Sequence, residues 1–284
     1  RAEIKKSIIK NNIYGVDIEK GAVDIARLRF WLSIVVDEET PSPLPNLDYK
    51  IMQGNSLIES FMGVDLSKLT YEKEYKKDKG EISLFDDEKN RLQKTVSHLL
   101  SSYYSCSDHD RKVKLQQEIS DTINKQLEAQ AYNPEILREL RAINLAENNK
   151  FFLWHTWFSD VFNREDKEGF DIVIGNPPYI GEKGHKEIFQ PVKADIHLGQ
   201  YYLGKMDYFY FFFHLAFNML SPSGVATFIT TNYYPTALGA RKLRADIKDR
   251  MNIRTLFNLG ELRLFENAPG QHSMISSFAK GKDG

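Results

Sequence analysis

Short β-favouring runs alternate along the chain with longer segments whose apolar residues recur at helical spacing. Near the amino end, residues 13–18 (IYGVDI) predict a strand. A helix should follow, because apolar residues recur at helical spacing: Ile25, Leu28, Leu32 and Val35. The Pro-rich residues 41–48 end this helix, and residues 49–53 predict a second strand that stops at Gly54. Strand, helix and strand in this order predict a parallel unit.

The middle of the chain has a different composition. Residues 67–150 are charged and Gln-rich, and apolar residues within them lie one helical turn apart: Leu115, Ile119, Ile123 and Leu127. Asn133 breaks the pattern, which resumes with Pro134 at a favourable first-turn position. We predict a helical insertion of two or three helices packed as a hairpin. It serves either as a solvated spacer or as a contact for DNA or a partner.

The alternation of strand and helix returns after the insertion. Strands are predicted at residues 151–158, 170–174, 225–231, 253–258 and 273–278, and helices at residues 208–220 and 240–250. A Ser-Pro-Ser-Gly turn at residues 221–224 should separate the first of these helices from the strand after it. The aromatic run in that helix is predicted to be core. This order favours an α/β fold with an open, mostly parallel sheet covered by helices.

Composition narrows the class of protein. The 284 residues are 42% hydrophobic, which is enough for one large core or two modest ones. No run has the length of a membrane span, and the first residues lack the apolar core of a signal peptide. The one cysteine, Cys106, excludes an internal disulfide and a cysteine-clustered zinc site, and the histidines lack metal-ligand spacing. We therefore predict a cytoplasmic protein with no metal and no membrane contact.

Polar side chains follow three of the predicted strands: Asp17, Asn55 and Asn176. In open α/β sheets, ligands bind at the carboxyl ends of the strands. An acidic residue after an early strand can accept hydrogen bonds from the ribose hydroxyls of a nucleoside cofactor. Asp17 fits that role, but an Asp at a strand end is also a common helix cap. Both interpretations of Asp17 stay open.

The segment Asn176-Pro177-Pro178-Tyr179 is more specific, because it directly follows residues 170–175, which are expected to form a buried strand. The exocyclic amine of a base such as adenine is a poor nucleophile, since its lone pair is delocalised into the ring. Oδ1 of Asn176 and the carbonyl of Pro177 can each accept one amine hydrogen, and the prolines hold these acceptors in place. Tyr179 offers a flat face to a base taken out of its stack. The alternative is a rigid turn without catalytic function.

With these motifs, the chain resembles the amino-group DNA methyltransferases, in particular the adenine-modifying, Eco57I-like group found in restriction-modification and phage-defence enzymes. Residues 13–35 are similar to the second cofactor motif of that family, residues 50–59 to the third, and residues 169–180 (GFDIVIGNPPYI) to the catalytic fourth. The later motifs of the family are similar to residues 205–220, 224–234 and 260–278. The resemblance implies a class I, Rossmann-like methyltransferase fold with S-adenosylmethionine as cofactor.

On this resemblance the chain divides into three segments. Residues 1–66 would be the first part of the methyltransferase domain, residues 67–150 the helical insertion, and residues 151–284 the second part with the catalytic loop. The cofactor side would consist of Asp17 on the ribose hydroxyls, Ile18 on the adenine, and Asn55 with Ser56 at the adenine edge. The flipped target base would be bound by Asn176, Pro177, Pro178 and Tyr179, with Phe265 as a second aromatic wall.

Double-stranded DNA is the implied substrate, with direct methyl transfer to the N6 amine of adenine. Basic residues between positions 181 and 205 are candidates for contact with its backbone: Lys183, Lys186 and Lys193. The basic cluster at residues 241–250 is a second candidate, although such helix faces are usually just solvated. The family's first cofactor motif and its target-recognition domain do not occur in the chain. We expect both on a longer natural polypeptide.

Two other functions remain open. The Asn-Pro-Pro-Tyr segment also serves methyltransferases that act on RNA bases or on protein glutamines. A chain that keeps this fold without turnover would instead be a DNA-binding or scaffolding subunit. The choice of adenine over cytosine rests on the resemblance alone, because both amines could use the same two acceptors.

Overall fold

A computed structural model describes residues 2–38, 43–67, 84–129, 133–165, 167–262 and 272–281. The chain divides into two compact units, unit 1 (Arg1–Asp160) and unit 2 (Val161–Gly284). The boundaries of the three predicted segments stay a prediction. In the described part of the chain, no helix combines the length and apolar character that crossing a bilayer requires.

Unit 1 begins with a helix, contains the strand, helix and strand that the sequence predicts, and continues into further helices. Its first elements are α1 (Ala2–Asn12), β1 (Gly15–Asp17), α2 (Lys20–Val35), β2 (Ile51–Gln53), β3 (Ser60–Phe61) and β4 (Val64–Asp65). The helices that follow are α3 (Leu84–Ser105), α4 (His109–Ala129), α5 (Pro134–Arg141), α6 (Trp154–Trp157) and α7 (Ser159–Phe162). β1 and β2 are parallel, and β3 and β4 form an antiparallel hairpin.

The predicted helix is present as α2, and the apolar residues that indicated it do not lie on its buried face. The side chains of Val23 and Ile34 are buried, and Ala26 and Phe30 pack against the same core with Ile51 of β2. The predicted stripe lies on another face and is exposed: Ile25, Leu28, Leu32 and Val35 are each 49–59% accessible. α2 is therefore apolar on more than one face. A helix of this kind is typically covered on both sides.

The helical insertion contains the predicted hairpin. The four apolar residues of α4 singled out from the sequence are all buried: Leu115, Ile119, Ile123 and Leu127. α3 and α4 run antiparallel, since Gln93 contacts Gln126 and Tyr103 contacts Gln116. At the start of α5, the side chain of Asn133 accepts the backbone N–H of Glu135, and Pro134 occupies the first turn as expected.

Residues 151–158 form helical turns, so the predicted strand there is wrong. Phe151, Phe152 and Phe158 are buried, and the ring of Phe152 packs edge-on against Trp154 at 4.9 Å. The indole N–H of Trp154 donates to the carbonyl of Ser56 at 2.9 Å. Aromatic residues favour strands on average, but here tertiary packing overrides that preference.

Unit 2 contains a four-stranded mixed sheet and three longer helices. In chain order its elements are β5 (Phe170–Gly175), α8 (Lys186–Ala194), α9 (Phe209–Met219), β6 (Leu220–Thr231), α10 (Arg241–Arg250), β7 (Met251–Asn258) and β8 (Ser273–Lys280). The strand order is β5-β6-β8-β7. β5 and β6 are parallel, whereas β8 runs antiparallel to both of its neighbours. The α/β fold with parallel strand pairs agrees with the sequence prediction.

The β5–β6 pair shows two differences from expectation. β5 was expected to be buried, but Ile172 and Ile174 are 69% and 77% exposed. Their side chains share one face of the strand, because side chains alternate between faces. The predicted turn at residues 221–224 lies within β6 as an irregularity, since Phe170 pairs with Leu220 and Ile172 already pairs with Val225. Residues 221–224 therefore have no regular pairing partners on β5, and β6 begins directly after α9.

The aromatic residues of α9 form the core of unit 2, as predicted. Phe209, Phe213 and Phe217 are fully buried. The ring of Phe213 lies 4.8 Å from that of Phe228 on β6 and 5.7 Å from that of Phe278 on β8. α9 therefore anchors the two central strands of the sheet.

A buried histidine cluster also lies on α9. The side chain of His214 is fully buried, and its Nδ1 atom lies 2.5 Å from Oδ2 of Asp246 on α10. Arg250 donates to both carboxylate oxygens of Asp246, and the Tyr201 ring stacks on the imidazole at 3.7 Å. Among the described residues, Nε2 of His214 has no hydrogen-bond partner. Burial lowers the pKa of His214 despite the opposing effect of Asp246.

The free energy of unfolding is expected to fall as the pH drops from 7 to 5. The folded state favours the neutral imidazole, so the stabilisation is fully present above the ordinary pKa of 6.5 and is lost as the pH falls through the lowered pKa. The pKa of Asp246 is also lowered, because hydrogen bonds from His214 and Arg250 outweigh the effect of its burial. Asp246 therefore affects the pH dependence of the free energy of unfolding only in more acidic solution. Denaturant titrations at several pH values test this. His214→Phe, which keeps an aromatic ring but cannot titrate, should flatten the profile; equal slopes would contradict it.

Candidate active site

The Asn-Pro-Pro-Tyr segment lies at the carboxyl end of β5, as predicted. β5 pairs in parallel with β6, and Gly175 lies opposite Phe228. A Cβ atom at position 175 would approach the Phe228 ring to 2.8 Å, so glycine lets the end of β5 pass close to that ring. Asn176 is exposed, Pro177 is buried and Tyr179 is half-buried. The amide of Asn176 is therefore accessible at the end of the sheet where α/β folds bind ligands.

The Tyr179 hydroxyl connects Asn176 to β6. Its oxygen lies 2.7 Å from Oδ1 of Asn176 and 3.0 Å from the carbonyl oxygen of Ile229. A neutral hydroxyl has one hydrogen, so it cannot donate to both oxygens at once. Burial raises the pKa of Tyr179, which keeps the hydroxyl protonated at neutral pH. Both contacts are satisfied when the Asn176 amide is turned by 180°, because its NH₂ group then donates to Tyr179 and the hydroxyl donates to Ile229.

Backbone hydrogen bonds hold the segment that follows. The N–H of Tyr208 donates to the carbonyl of Ile180 at 2.8 Å, and the N–H of Glu182 donates to the carbonyl of Met206 at 2.9 Å. The ring of Tyr179 packs edge-on against Phe209 at 6.1 Å. These contacts tie the loop to the start of α9, so the acceptors of the loop are fixed before any substrate binds.

Asp207 contacts the same loop and was not singled out from the sequence. Gly181 forms an isolated antiparallel bridge with Asp207. Burial raises the pKa of Asp207, against the opposing effect of its hydrogen bond with Tyr210. The signal in the sequence was an acidic residue directly before the aromatic helix. The pattern alone did not show that this residue contacts the loop.

The predicted cofactor residues lie together in unit 1. Asp17 ends β1 and Asn55 follows β2, and the N–H of Gly54 donates to the carbonyl of Asp17 at 2.9 Å. A Cβ atom on Gly54 would approach the Phe152 ring to 2.6 Å, so glycine allows this strand end to pack. Ile18 is 45% exposed, and Ser56 is half-buried with its carbonyl bound to Trp154. The four residues thus share the carboxyl ends of two adjacent parallel strands.

The donors and acceptors at these strand ends fit a nucleoside. Oδ1 of Asp17 accepts the backbone N–H of Glu19 at 2.8 Å, but this bond does not cap α2, whose cap residue is Glu19 and has no side-chain cap hydrogen bond. The exposed carboxylate has a second oxygen that can accept hydrogen bonds from a ribose. Oδ1 of Asn55 accepts the N–H of Leu57 at 3.2 Å, and its NH₂ group has no partner among the described residues. Ile18 adds an exposed apolar surface for a flat ring.

The remaining predicted site residues are the second aromatic wall of the base pocket and the basic residues that would contact DNA. Phe265 lies outside the described residues. Of the nearby aromatics, Phe278 is fully buried in the core and Phe257 is 57% exposed. In the basic cluster of α10, Lys242 and Arg244 donate to backbone carbonyls, and Arg250 binds Asp246. The lysines after the catalytic loop are exposed, and two of them, Lys186 and Lys193, lie on α8.

One known protein family matches most of the chain. The model of the Eco57I restriction-modification methylase family matches residues 11–265. The chain belongs to the Eco57I restriction-modification methylase family. The match covers β1, β2, the helical insertion and the catalytic loop, so it confirms the family predicted from the motifs.

Individual relatives of this methylase are longer. A protein of Methanocaldococcus jannaschii assigned as a type II restriction enzyme and methyltransferase is 26% identical, over 90% of this chain and 25% of its own length. The type II methyltransferase M.HincII of Haemophilus influenzae is 27% identical over 44% of this chain and 25% of its own. The chain thus spans about a quarter of the length of these curated relatives.

Among solved structures, a class I S-adenosylmethionine-dependent methyltransferase from Listeria monocytogenes is similar, with a TM-score of 0.30 and 14% identity over 72% of this chain and 64% of that one. Family membership and the α/β architecture confirm the fold class predicted from the sequence. A methylase family implies S-adenosylmethionine as the methyl donor, which is the predicted cofactor.

Proposed function

We propose that this chain is the catalytic part of an S-adenosylmethionine-dependent DNA methyltransferase that modifies the N6 amine of adenine in a flipped base. It would act within a restriction-modification or phage-defence enzyme in the cytoplasm. The observation that carries the proposal is the Asn176–Tyr179 pair at the carboxyl end of β5, held by Ile229 and by the start of α9. Family membership supports methylation as the chemistry.

The catalytic loop would act by holding the target amine. With the Asn176 NH₂ group donating to Tyr179, Oδ1 of Asn176 is available to accept one hydrogen of the amine. The carbonyl of Pro177 accepts the other. Two fixed acceptors draw the amine lone pair out of conjugation with the ring, which makes the nitrogen a better nucleophile. The ring of Tyr179 provides the stacking surface, for which base–aromatic contacts contribute about 1–3 kcal/mol.

The residues at the ends of β1 and β2 would hold the cofactor. Asp17 would accept hydrogen bonds from the ribose hydroxyls, Ile18 would pack on the adenine, and Asn55 with Ser56 would border the adenine edge. When bound there, S-adenosylmethionine supplies an electrophilic methyl group on a sulfonium. The exposed carboxylate of Asp17 and the free NH₂ group of Asn55 are the observations that support these roles.

We further propose that parts of a longer polypeptide complete the enzyme. The exposed apolar stripe of α2 supports an additional segment that packs against unit 1, and the exposed face of β5 supports one that packs against unit 2. Among the described strands, β5 pairs only with β6, so its other edge can accept a strand. The predicted cofactor-loop segment would fill this role. A target-recognition domain would supply the base contacts, and exposed lysines after the catalytic loop, such as Lys183, would contact the DNA backbone.

Transfer of a labelled methyl group by the full-length natural protein tests the function. The protein is incubated with labelled S-adenosylmethionine and unmethylated duplex DNA, and the modified nucleoside is identified by mass spectrometry. N6-methyladenine supports the proposal. Label in cytosine would mean that the target base is cytosine and not adenine. Label in RNA or in protein glutamine would favour a methyltransferase that acts on those substrates. Absence of transfer to every acceptor would favour a scaffolding subunit.

Replacing Asp17 by alanine is expected to weaken cofactor binding by the full-length protein about tenfold or more. A hydrogen bond to a charged group contributes roughly 1.5–3 kcal/mol, and this carboxylate would bind two hydroxyls. Calorimetric titration with S-adenosylmethionine gives the affinity. Asp24→Asn is the matched control, because Asp24 is an exposed carboxylate on α2, its side chain 57% accessible. Unchanged affinity in Asp17→Ala would remove Asp17 from the site.

A further inference from the structure

A second group of polar residues lines a cavity of about 370 Å³ in unit 1. Its lining comes from the end of α1, from α3 of the helical insertion, from the region of α6 and α7, and from Lys50. Lys50 directly precedes β2, whereas Asn55 follows it. The cavity thus lies at the opposite end of β2 from the residues that would bind the cofactor.

Lys50 is an almost fully buried cation in this cavity. Its side chain is 3% exposed, and its Nζ atom lies 3.1 Å from Oδ2 of Asp160. The ammonium also lies over the rings of Tyr14 and Tyr104, at 3.8 Å and 4.7 Å from their centroids. An ammonium has three hydrogens, and Asp160 is its one hydrogen-bond acceptor among the described residues. Donor capacity therefore remains on Lys50.

Trp157 provides a second unsatisfied donor. The residue lines the cavity and is only 2% exposed. Its ring stacks on Tyr49 at 5.4 Å, which fixes its orientation. Its indole N–H is buried and has no hydrogen-bond partner within the described part of the chain. Buried indole N–H groups usually find a partner, so this donor points to a ligand that accepts a hydrogen bond.

Hydroxyl groups and a second cation surround these two donors. The Oγ atoms of Ser97 on α3 and Ser159 on α7 lie 2.9 Å apart, and Ser101 lies one turn further along α3. Lys10, at the end of α1, brings a second ammonium to the lining. Asp160 is the one carboxylate in the lining, and it already accepts from Lys50 and from the hydroxyl of Tyr14. Hydrogen-bond donors thus outnumber acceptors.

We propose that this cavity binds a phosphate group, either as a free ion or as part of a small phosphate ester or a DNA backbone. The unprotonated oxygens of a phosphate group accept hydrogen bonds, which matches the ammonium of Lys50, the N–H of Trp157 and the serine hydroxyls. The volume exceeds that of the ion, so it can also hold part of the molecule that carries the phosphate. Since α3 belongs to the helical insertion, bound phosphate connects the insertion to the end of β2. This gives the insertion a function separate from methyl transfer.

Calorimetric titration of the full-length protein tests the proposal with three probes: inorganic phosphate, ATP and a short duplex oligonucleotide. Trp157→Phe keeps an aromatic ring but removes the indole N–H, and is expected to weaken binding about tenfold. Lys50→Met removes the buried charge at similar length and is expected to weaken binding about a hundredfold. The probe whose binding responds to both variants identifies the source of the phosphate.

Two matched controls lie on the same helix. Ser102 lies on α3 outside the lining, so Ser102→Ala should leave binding unchanged. Lys94 is an exposed residue of α3 outside the lining, so Lys94→Met controls for the loss of one positive charge. Thermal melting shows whether each variant is folded, and Trp157→Phe carries the test if Lys50→Met is not. The proposal would be overturned if none of the three probes binds. It would also be overturned if Lys94→Met and Lys50→Met weaken binding equally while Trp157→Phe leaves it unchanged.

Discussion

Replacing Asn176 by alanine in the full-length protein is expected to lower the rate of methyl transfer to DNA about a thousandfold, by analogy with the loss of one preorganised group that stabilises a transition state. The amide would provide one of two acceptors for the target amine, and alanine has none. The affinity for S-adenosylmethionine should stay nearly unchanged, because the cofactor residues lie on β1 and β2. Single-turnover transfer and calorimetry measure the two quantities separately.

The Tyr179 hydroxyl allows a finer test of the same site. Tyr179→Phe keeps the stacking ring but removes the contacts to Asn176 and Ile229. Its rate should fall about tenfold, because the amide loses the hydrogen bond that orients it. Tyr179→Ala also loses the ring and should be slower still. Wild-type turnover in Asn176→Ala would show that the catalytic site lies elsewhere.

Replacing Phe213 by alanine is expected to lower the free energy of unfolding by about 3–5 kcal/mol, the usual cost of removing a buried aromatic ring. The ring is fully buried and contacts Phe228 and Phe278 on the two central strands of unit 2. Its loss leaves a cavity between α9 and the sheet. Urea unfolding followed by circular dichroism gives the change.

Phe257 offers a control with the same chemical change. It lies on β7 and is 57% exposed, so Phe257→Ala should cost no more than about 1 kcal/mol. Similar losses in the two variants would mean that the Phe213 ring is not in the core. Because the same atoms are removed in both variants, the difference between the two losses reports on the burial of the Phe213 ring.

The sequence predicted best those elements that pack within one compact unit. The apolar stripe of α4 is buried as expected because it lies on one side of the helix, and the aromatic run of α9 is buried as expected because that helix is apolar nearly all round. The spacing of apolar residues also predicted α2 as a helix, but it could not show which face is buried, since that helix has apolar residues on several faces. The strand predicted at residues 151–158 was wrong, because long-range contacts such as the hydrogen bond from Trp154 to Ser56 set the conformation of this segment.

The sequence could predict those positions of the candidate site that depend only on where a strand ends. Asp17, Asn55 and Asn176 each follow a strand, and parallel pairing places them at the carboxyl ends of β1, β2 and β5. The bond of Tyr179 to Ile229 could not be predicted, because it joins residues 50 positions apart. The contact of Asp207 with the loop and the donors around Lys50 depend in the same way on tertiary structure.

Cys106 gives the helical hairpin a practical use. It is the one cysteine of the chain, and it lies between α3 and α4 with a half-buried side chain. Within these 284 residues, a maleimide fluorophore or spin label should therefore attach at a single, known point. Its signal would report on the surroundings of the hairpin turn when DNA is added, and so indicate whether this end of the insertion is near the nucleic acid.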